Sequence, residues 1–299
     1  MATVCVFTPT FNRAYILPKL YKSLVAQTSR DFSWLVVDDG STDNTSTLVR
    51  SWQAEGLVPI TYIYQENGGK QRATNTGMEH CSDELFFVVD SDDHLVPTAI
   101  EQIMDVWQGA REDATLAGIV ALRGTDENTP LGTRMPAGVT RVKMWDLLHK
   151  YRFKGDTSLI HRTEIVRQHP YEVAPGEKFV AESMAFFAID DDYDMLTYDH
   201  VLTICHYLPD GYTQNFVENT KKNPIGYMRH KRDSARRATN PYDACRETTL
   251  YLVGCMLAHH RGGVREAPNV PLAVLCYLPA KLACATVFRL TAHRSRCVS

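Results

Sequence analysis

Over the first ninety residues, short apolar runs alternate with segments whose apolar positions repeat at helical spacing. Residues 3–8 read as a strand, followed by the polar loop Thr10-Phe11-Asn12-Arg13. Ile16, Leu17, Leu20, Leu24 and Val25 then fall on one helical face, with Asn12 placed to cap that helix and Pro18 near its first turn. Residues 34–37 form a second apolar strand that ends in the turn-rich Asp38-Asp39-Gly40-Ser41-Thr42-Asp43-Asn44, and a helix runs on to about Trp52. A third strand, residues 60–64, leads into Gln65-Glu66-Asn67-Gly68-Gly69-Lys70 and a helix carrying Ala73 and Met78. Residues 85–89 are the fourth strand. This β-α-β-α-β-α-β order predicts a parallel sheet with right-handed crossovers.

After Pro97 the pattern predicts a helix to about Trp107, a strand at 117–122, a Gly-, Thr- and Pro-rich loop at 124–140 and an amphipathic helix at 144–150. Residues 153–161 read as a strand with Gly155-Asp156 inside it. Phe179-Val180-Ala181-Glu182-Ser183 opens a helix ending near Asp190, and residues 196–207 are mostly apolar or β-prone. From about Glu218 helical patterns dominate. The expected fold class is α/β: a mixed, mainly parallel central sheet with flanking helices, plus a C-terminal helical extension. The expected division is a sheet-bearing domain at 1–219 and a helical extension at 220–299.

Composition adds two constraints. The 299 residues can bury a large core, and 44% hydrophobic with 22% charged residues is ordinary for a soluble protein. No signal-peptide pattern opens the chain, because Phe7-Thr8-Pro9-Thr10 interrupts the apolar start. The longest uncharged run, residues 267–280, carries Pro268, Pro271 and Pro279 and is short of a membrane span. The eight cysteines show no CxxC spacing and no His at zinc-finger spacing, which predicts a reduced, cytoplasmic protein. The net charge of −3 hides an asymmetry: residues 220–299 hold 14 basic and 4 acidic residues, the remainder 18 basic and 31 acidic. An acidic body with a basic tail implies two tasks.

Candidate chemistry centres on Phe86-Phe87-Val88-Val89-Asp90-Ser91-Asp92-Asp93, an apolar strand that delivers three carboxylates within four positions. Such a group offers hard oxygen ligands for Mg²⁺ or Mn²⁺, ions commonly shared with a substrate's phosphates. The plainer reading is that these aspartates cap the helix beginning near Pro97. What weighs against it is position. Polar clusters follow all four strands, at residues 8–13, 38–39, 67–70 and 90–93. In an open parallel sheet these share the carboxyl edge, where ligands bind.

Together and in this order, Thr8-Pro9-Thr10-Phe11-Asn12-Arg13, Val36-Val37-Asp38-Asp39-Gly40-Ser41-Thr42-Asp43, Asn67-Gly68-Gly69 and Asp90-Ser91-Asp92-Asp93 resemble the inverting family 2 glycosyltransferases, which have the A-type, Rossmann-like nucleotide-sugar fold. The likeness covers roughly residues 3–215. Phe179-Val180-Ala181-Glu182-Ser183 and Tyr207-Leu208-Pro209-Asp210-Gly211 resemble acceptor-side motifs of bacterial capsule and cell-envelope members. The resemblance implies that Thr8 and Pro9 line the nucleotide pocket and that Phe11 stacks on the base. It implies that Asp39 accepts from a base imide N–H, as uracil offers, while Asp38 holds the loop. Arg13, Lys70 and Arg72 would meet phosphate, or else are ordinary surface cations. Asn67-Gly68-Gly69 lets a ligand approach the backbone closely. Asp90, with Ser91 beside it, would lie near the ribose. Asp92 would be the most direct ligand of Mn²⁺ or Mg²⁺, with Asp93 supporting it.

Glu182 occupies the family's catalytic-base position, although Ser183 replaces the Asp of the usual Glu-Asp pair. Asp156 is the rival base. A divalent ion offsets charge on a departing diphosphate, a carboxylate removes the acceptor proton, and in-line attack inverts the anomeric centre. The expected activity is transfer of a single sugar from a nucleoside-diphosphate sugar, with UDP as the nucleotide, to a hydroxyl of a saccharide or lipid-linked acceptor in cell-surface polysaccharide synthesis. The processive signature Gln-x-x-Arg-Trp is absent. One alternative is a nucleotidyltransferase, but the first loop lacks that class's glycines. The other is a non-catalytic nucleotide-sugar-binding or scaffold protein. In the tail, Lys281 and Arg289 stand among Leu272, Val274, Leu275, Leu278, Leu282, Val287 and Phe288. This reads as a segment lying on an anionic membrane surface at the inner face of the cell membrane, against the alternatives of a packed helix or a dimer contact. No nucleic acid partner is expected, since no recognised motif accompanies the charge.

Overall fold

A computed structural model describes residues 3–205 and 216–288. Its first half follows the predicted alternation: β1 (Val4–Thr10), α1 (Leu17–Val25), β2 (Phe32–Asp38), α2 (Thr45–Glu55), β3 (Ile60–Tyr64), α3 (Lys70–His80) and β4 (Leu85–Val88). Then come β5 (His94–Leu95), α4 (Ala99–Gln108), β6 (Leu116–Gly124), β7 (Arg141–Val142), α5 (Met144–His149), β8 (Thr157–Arg162), α6 (Thr163–Val166), α7 (Ser183–Ile189) and β9 (Asp194–Ile204). The nine described strands form one sheet in the order β3-β2-β1-β4-β8-β6-β9-β5, with β7 on β9. β1 to β4 are mutually parallel, β8 runs antiparallel to β4 and β6, and β6 and β9 are parallel, so the sheet is mixed.

β1 is buried along its whole length, as a central strand covered on both faces must be. Its pairing with β4 stops at Phe7↔Val88, whereas its pairing with β2 continues to Thr10↔Asp38. Pro9 therefore stands where β4 has already left the ladder, so its missing N–H disrupts little. Strand order reverses between β1 and β4, and the chain ends there diverge into loops. This is the switch point at which α/β sheets bind ligands. On one face α3 lies so close that a Cβ on Gly77 would sit 2.2 Å from the Phe7 ring. Phe7 in turn stacks on Phe86 with centroids 4.9 Å apart. Tyr21, Trp34 and Trp52 stack to tie α1 and α2 to β2.

Several local expectations change. Asn12 does not cap α1, whose first turn begins at Leu17 after Ile16 without a side-chain cap. Asp90, Asp92 and Asp93 do not cap α4, because β5 intervenes and Thr98 holds the cap position. Gly155-Asp156 lies before β8 rather than inside it. Gly155 has φ +116°, and a Cβ there would come within 1.6 Å of the Leu131 carbonyl oxygen, so the chain turns where a straight strand was expected.

The chain divides into two compact units, the first holding residues 3–171 and 185–205 and the second residues 172–184 and 216–288 of the described chain. This differs from a single cut after residue 219. In the second unit, α8 (Phe216–Lys222), α9 (Pro224–Arg237), α10 (Pro241–Leu257) and α11 (Val270–Ala283) follow in order, with a π-helical turn at Cys284–Phe288. Residues 172–184 belong with these helices because the Glu177 carboxylate accepts from the amides of Ile225 and Gly226 at 2.6 and 2.8 Å. It thereby satisfies orphan donors at the start of α9. Asn223 returns the contact, its Oδ1 accepting from the Lys178 and Phe179 amides.

His161, on β8, is buried and its Nε2 has no partner. Burial, helped by the charge of His169, pushes its pKa down from 6.5 to about 4. The folded chain holds His161 neutral, while the unfolded chain binds a proton below its ordinary pKa of about 6.5. Its contribution is complete above that pH and is lost as pH falls toward the folded value, a change of about 3 kcal/mol. His161→Leu should therefore gain about that much stability relative to the parent between pH 7.5 and 4, measured by denaturant unfolding. A constant difference across that range would contradict the assignment.

Candidate active site

The carboxyl ends of β1, β2, β3 and β4 each run into a polar loop, and side chains cross-link the loops. Asn12, at φ +53°, uses its Oδ1 to accept from the Thr42 and Asp43 amides, while its own N–H donates to Ser41 Oγ at 2.8 Å. Asp43 accepts from the Ala14 amide at 3.0 Å. The Asn12 signal that read as a helix cap is a bridge between the first two loops, one of the few roles in which a non-glycine residue tolerates this backbone.

Asp38 accepts from the Ser41 amide at 2.8 Å and the Tyr62 hydroxyl at 2.6 Å. Asp39, almost fully buried, accepts from Gln65 Nε2, Asn67 Nδ2 and the amides of Gly68 and Gly69, at 2.7 to 3.1 Å. Four donors match the lone-pair capacity of a carboxylate. The sequence reading has Asp38 hold the loop and Asp39 meet the base; the structure gives Asp39 a loop-holding role as well. Both hold loops, and Asp39 fixes the Asn67-Gly68-Gly69 turn at the start of α3. Gly40 is required beside it: its φ is +85°, and a Cβ would approach the Asn67 nitrogen to 2.8 Å.

The acidic loop is wired into two cations. Lys70 Nζ lies 2.6 Å from Asp90. Arg123 Nη1 reaches Asp93 at 3.0 Å and Asp90 at 3.5 Å, and its Nε donates to the Thr157 carbonyl. Burial raises the Asp90 pKa, but Lys70 and Arg123 outweigh it and hold the group at about 2. Asp93 goes the other way: burial lifts it to about 7, with Arg123 opposing and Asp90 adding to the rise. Asp92 is also raised, by burial and then by the neighbouring Asp90 charge, with Arg13 and Lys70 opposing. Lys70, expected at phosphate, is thus seated on Asp90. Arg123 escaped the sequence reading. Its one signal was a lone cation in the otherwise apolar run of β6.

Phe11 is 46% exposed beside these loops, so it is not a core ring. Thr8 and Pro9 are buried at the end of β1, the Thr8 hydroxyl accepting from Trp34 Nε1 at 3.0 Å, and Ser91 is buried within the acidic loop. Arg13 Nη1 donates to the Tyr15 hydroxyl. Two polar side chains at this edge, Thr10 and Gln71, are buried with Thr10 Oγ1 and both Gln71 amide atoms lacking a protein partner. Asp156 is exposed in the first unit, and Glu182 is exposed in the second. Ser183, beside Glu182, shares a 2.9 Å hydrogen bond with His230 Nε2. Burial, aided by Lys231, pushes the His230 pKa down to about 3, leaving a neutral imidazole. The Tyr207-Leu208-Pro209-Asp210-Gly211 motif lies outside the described residues.

Comparison with known proteins gives the family and the fold. The sequence model of glycosyl transferase family 2 matches residues 5–170, more than half of the chain. Poly(ribitol-phosphate) beta-N-acetylglucosaminyltransferase TarP of Staphylococcus aureus is 30% identical over 132 residues, 44% of this chain and 40% of that protein. The matched stretch spans about two-fifths of the length of such curated relatives, 38% and 40% in the first two. S. aureus TarS 1-349 in complex with UDP-GlcNAc shares the fold with a TM-score of 0.54 at 17% identity, covering 93% of this chain and 81% of that one. The mannosyltransferase PcManGT from Pyrobaculum calidifontis, in complex with GDP-Man and Mn²⁺, shares it with a TM-score of 0.56 at 18% identity, covering 96% and 82%.

Proposed function

The chain belongs to glycosyl transferase family 2, and on that premise we propose that it transfers a single sugar from a UDP-sugar to a hydroxyl of a saccharide or lipid-linked acceptor of the cell envelope, with inversion. The observation that carries the reading is the carboxyl edge of β1–β4, where the strand order reverses. There an acidic loop with three aspartates stands beside an exposed aromatic ring. A relative whose name specifies N-acetylglucosaminyl transfer, and fold neighbours holding UDP-GlcNAc or GDP-Man with Mn²⁺, support it.

The acidic loop fits a hard divalent cation. Its donors are all oxygens, and Asp92 carries a pKa raised by burial and by Asp90, a strain that an added positive charge relieves. Asp92 would hold Mn²⁺ or Mg²⁺ with Asp93 in support, and the bound ion would offset charge on the leaving diphosphate. Phe11 stacks on the base, and the Asn67-Gly68-Gly69 backbone admits the nucleotide. Asp90 keeps Lys70 in place to meet the diphosphate, and Arg13 adds a second cation. Glu182 takes the proton from the acceptor hydroxyl as it attacks the anomeric carbon.

Calorimetric titration of UDP, GDP and ADP in the presence of Mn²⁺ tests the donor assignment. UDP should bind at least tenfold tighter than the purine nucleotides. Phe11→Ala should weaken it about fivefold, the loss of one stacked ring worth on the order of 1 kcal/mol. Equal affinity for the three nucleotides would remove uridine from the account. Unchanged UDP affinity in the Phe11 variant would remove the stack.

A further inference from the structure

Helix α11 carries its apolar residues the wrong way round for a helix whose packing ends within its own unit. The face turned to α10 is made of small residues: Ala273, Cys276 and Ala280 are buried against a cluster with Tyr251, Leu252 and Val253. Leu272 is half-buried against that cluster, and the other large apolar residues point outward. Val274, Leu275, Leu278 and Leu282 are 60%, 75%, 74% and 66% exposed, with Val270 and Tyr277 beside them. Globular helices normally bury the large side chains first. A contiguous exposed apolar strip of this kind marks an interaction surface.

We propose that this strip lies in the interface of an anionic lipid membrane. Charge selects the occupant. No Asp or Glu follows Glu266, while Lys281, Arg289, Arg294 and Arg296 do, and Lys281 is exposed on α11 itself. A second copy of the chain would set like charges against each other, whereas an anionic bilayer takes both the cations and the leucines. The 14 residues of α11 rise about 21 Å, short of a hydrocarbon core of roughly 30 Å. No described helix is long and apolar enough to cross a membrane. The helix therefore lies along the surface with its leucines at the acyl boundary. The inference is independent of the catalytic reading, because it uses none of the residues assigned to donor, metal or acceptor chemistry.

Co-sedimentation with vesicles, without nucleotide or metal, tests it. The parent chain should partition onto vesicles containing phosphatidylglycerol and much less onto phosphatidylcholine alone. The double variant Leu275→Ser/Leu278→Ser should lose at least about tenfold in partition, since each buried leucine side chain is worth roughly one decade. Its melting temperature should match the parent's, because both positions are exposed. Lys281→Glu should weaken binding to the anionic vesicles selectively. Equal partition of parent and double variant would overturn the proposal. So would a parent that ignores vesicles but forms a concentration-dependent dimer that the double variant abolishes, which would assign the strip to a second copy.

Discussion

Asp92→Asn should release nucleotide from its sugar donor about a thousandfold more slowly than the parent while unfolding at the same temperature. The size follows from a divalent ion that contributes several kcal/mol to stabilising the leaving diphosphate, at 1.36 kcal/mol for each factor of ten. The choice among three aspartates follows from their partners. Asp90 sits between Lys70 and Arg123, and Asp93 is buried against Arg123, so replacing either strands a partly buried cation. Loss of activity there would mix chemistry with folding. No ion pair engages Asp92 among the described residues, and its charge is opposed by burial and by Asp90. Steady-state nucleotide release, with thermal unfolding as the control, separates the two effects. Parent-like turnover in Asp92→Asn would end the metal role proposed for it.

The second large effect concerns the base. Glu182→Gln should lower turnover by about a thousandfold, within the range of 10²–10⁴ for a positioned general base, while UDP affinity stays at the parent value. Asp156→Asn should keep the parent rate. Asp156 follows the Gly155 turn rather than projecting from a strand, and its carbonyl accepts from the Arg123 amide at 3.3 Å. Glu182 begins the segment in which Ser183, in place of the family's aspartate, binds a neutral His230. A single carboxylate is thus left at that motif to accept a proton. If the two variants behave in the reverse order, the base is Asp156.

Much of the fold is legible in the sequence alone. The period-2 and period-3.6 patterns of residues 3–89 were strong because each strand is short, apolar and followed by glycine, asparagine or aspartate. The four strand-end clusters fall at the carboxyl edge of β1–β4, as the alternation predicts. What stayed hidden depends on partners distant in the chain. Arg123 joins Asp90 and Asp93 from about thirty positions away, and nothing local to β6 says where its guanidinium ends. The hold of Asp39 on the Gly68 and Gly69 amides joins residues about thirty positions apart, which its own neighbours do not announce. Asn12 was misread because asparagine before an apolar helical stretch suits a cap as well as a left-handed loop bridge. The boundary of the second unit was missed for a similar reason: Glu177 stands 48 residues before the α9 amide it caps.

Manganese titration into the UDP-loaded protein tests the central claim most directly, because it needs neither the correct sugar nor the correct acceptor. The parent should bind one Mn²⁺ per chain with an affinity that falls at least a hundredfold in Asp92→Asn. Indistinguishable manganese binding by the two proteins would show that the acidic loop following β4 is not the metal site.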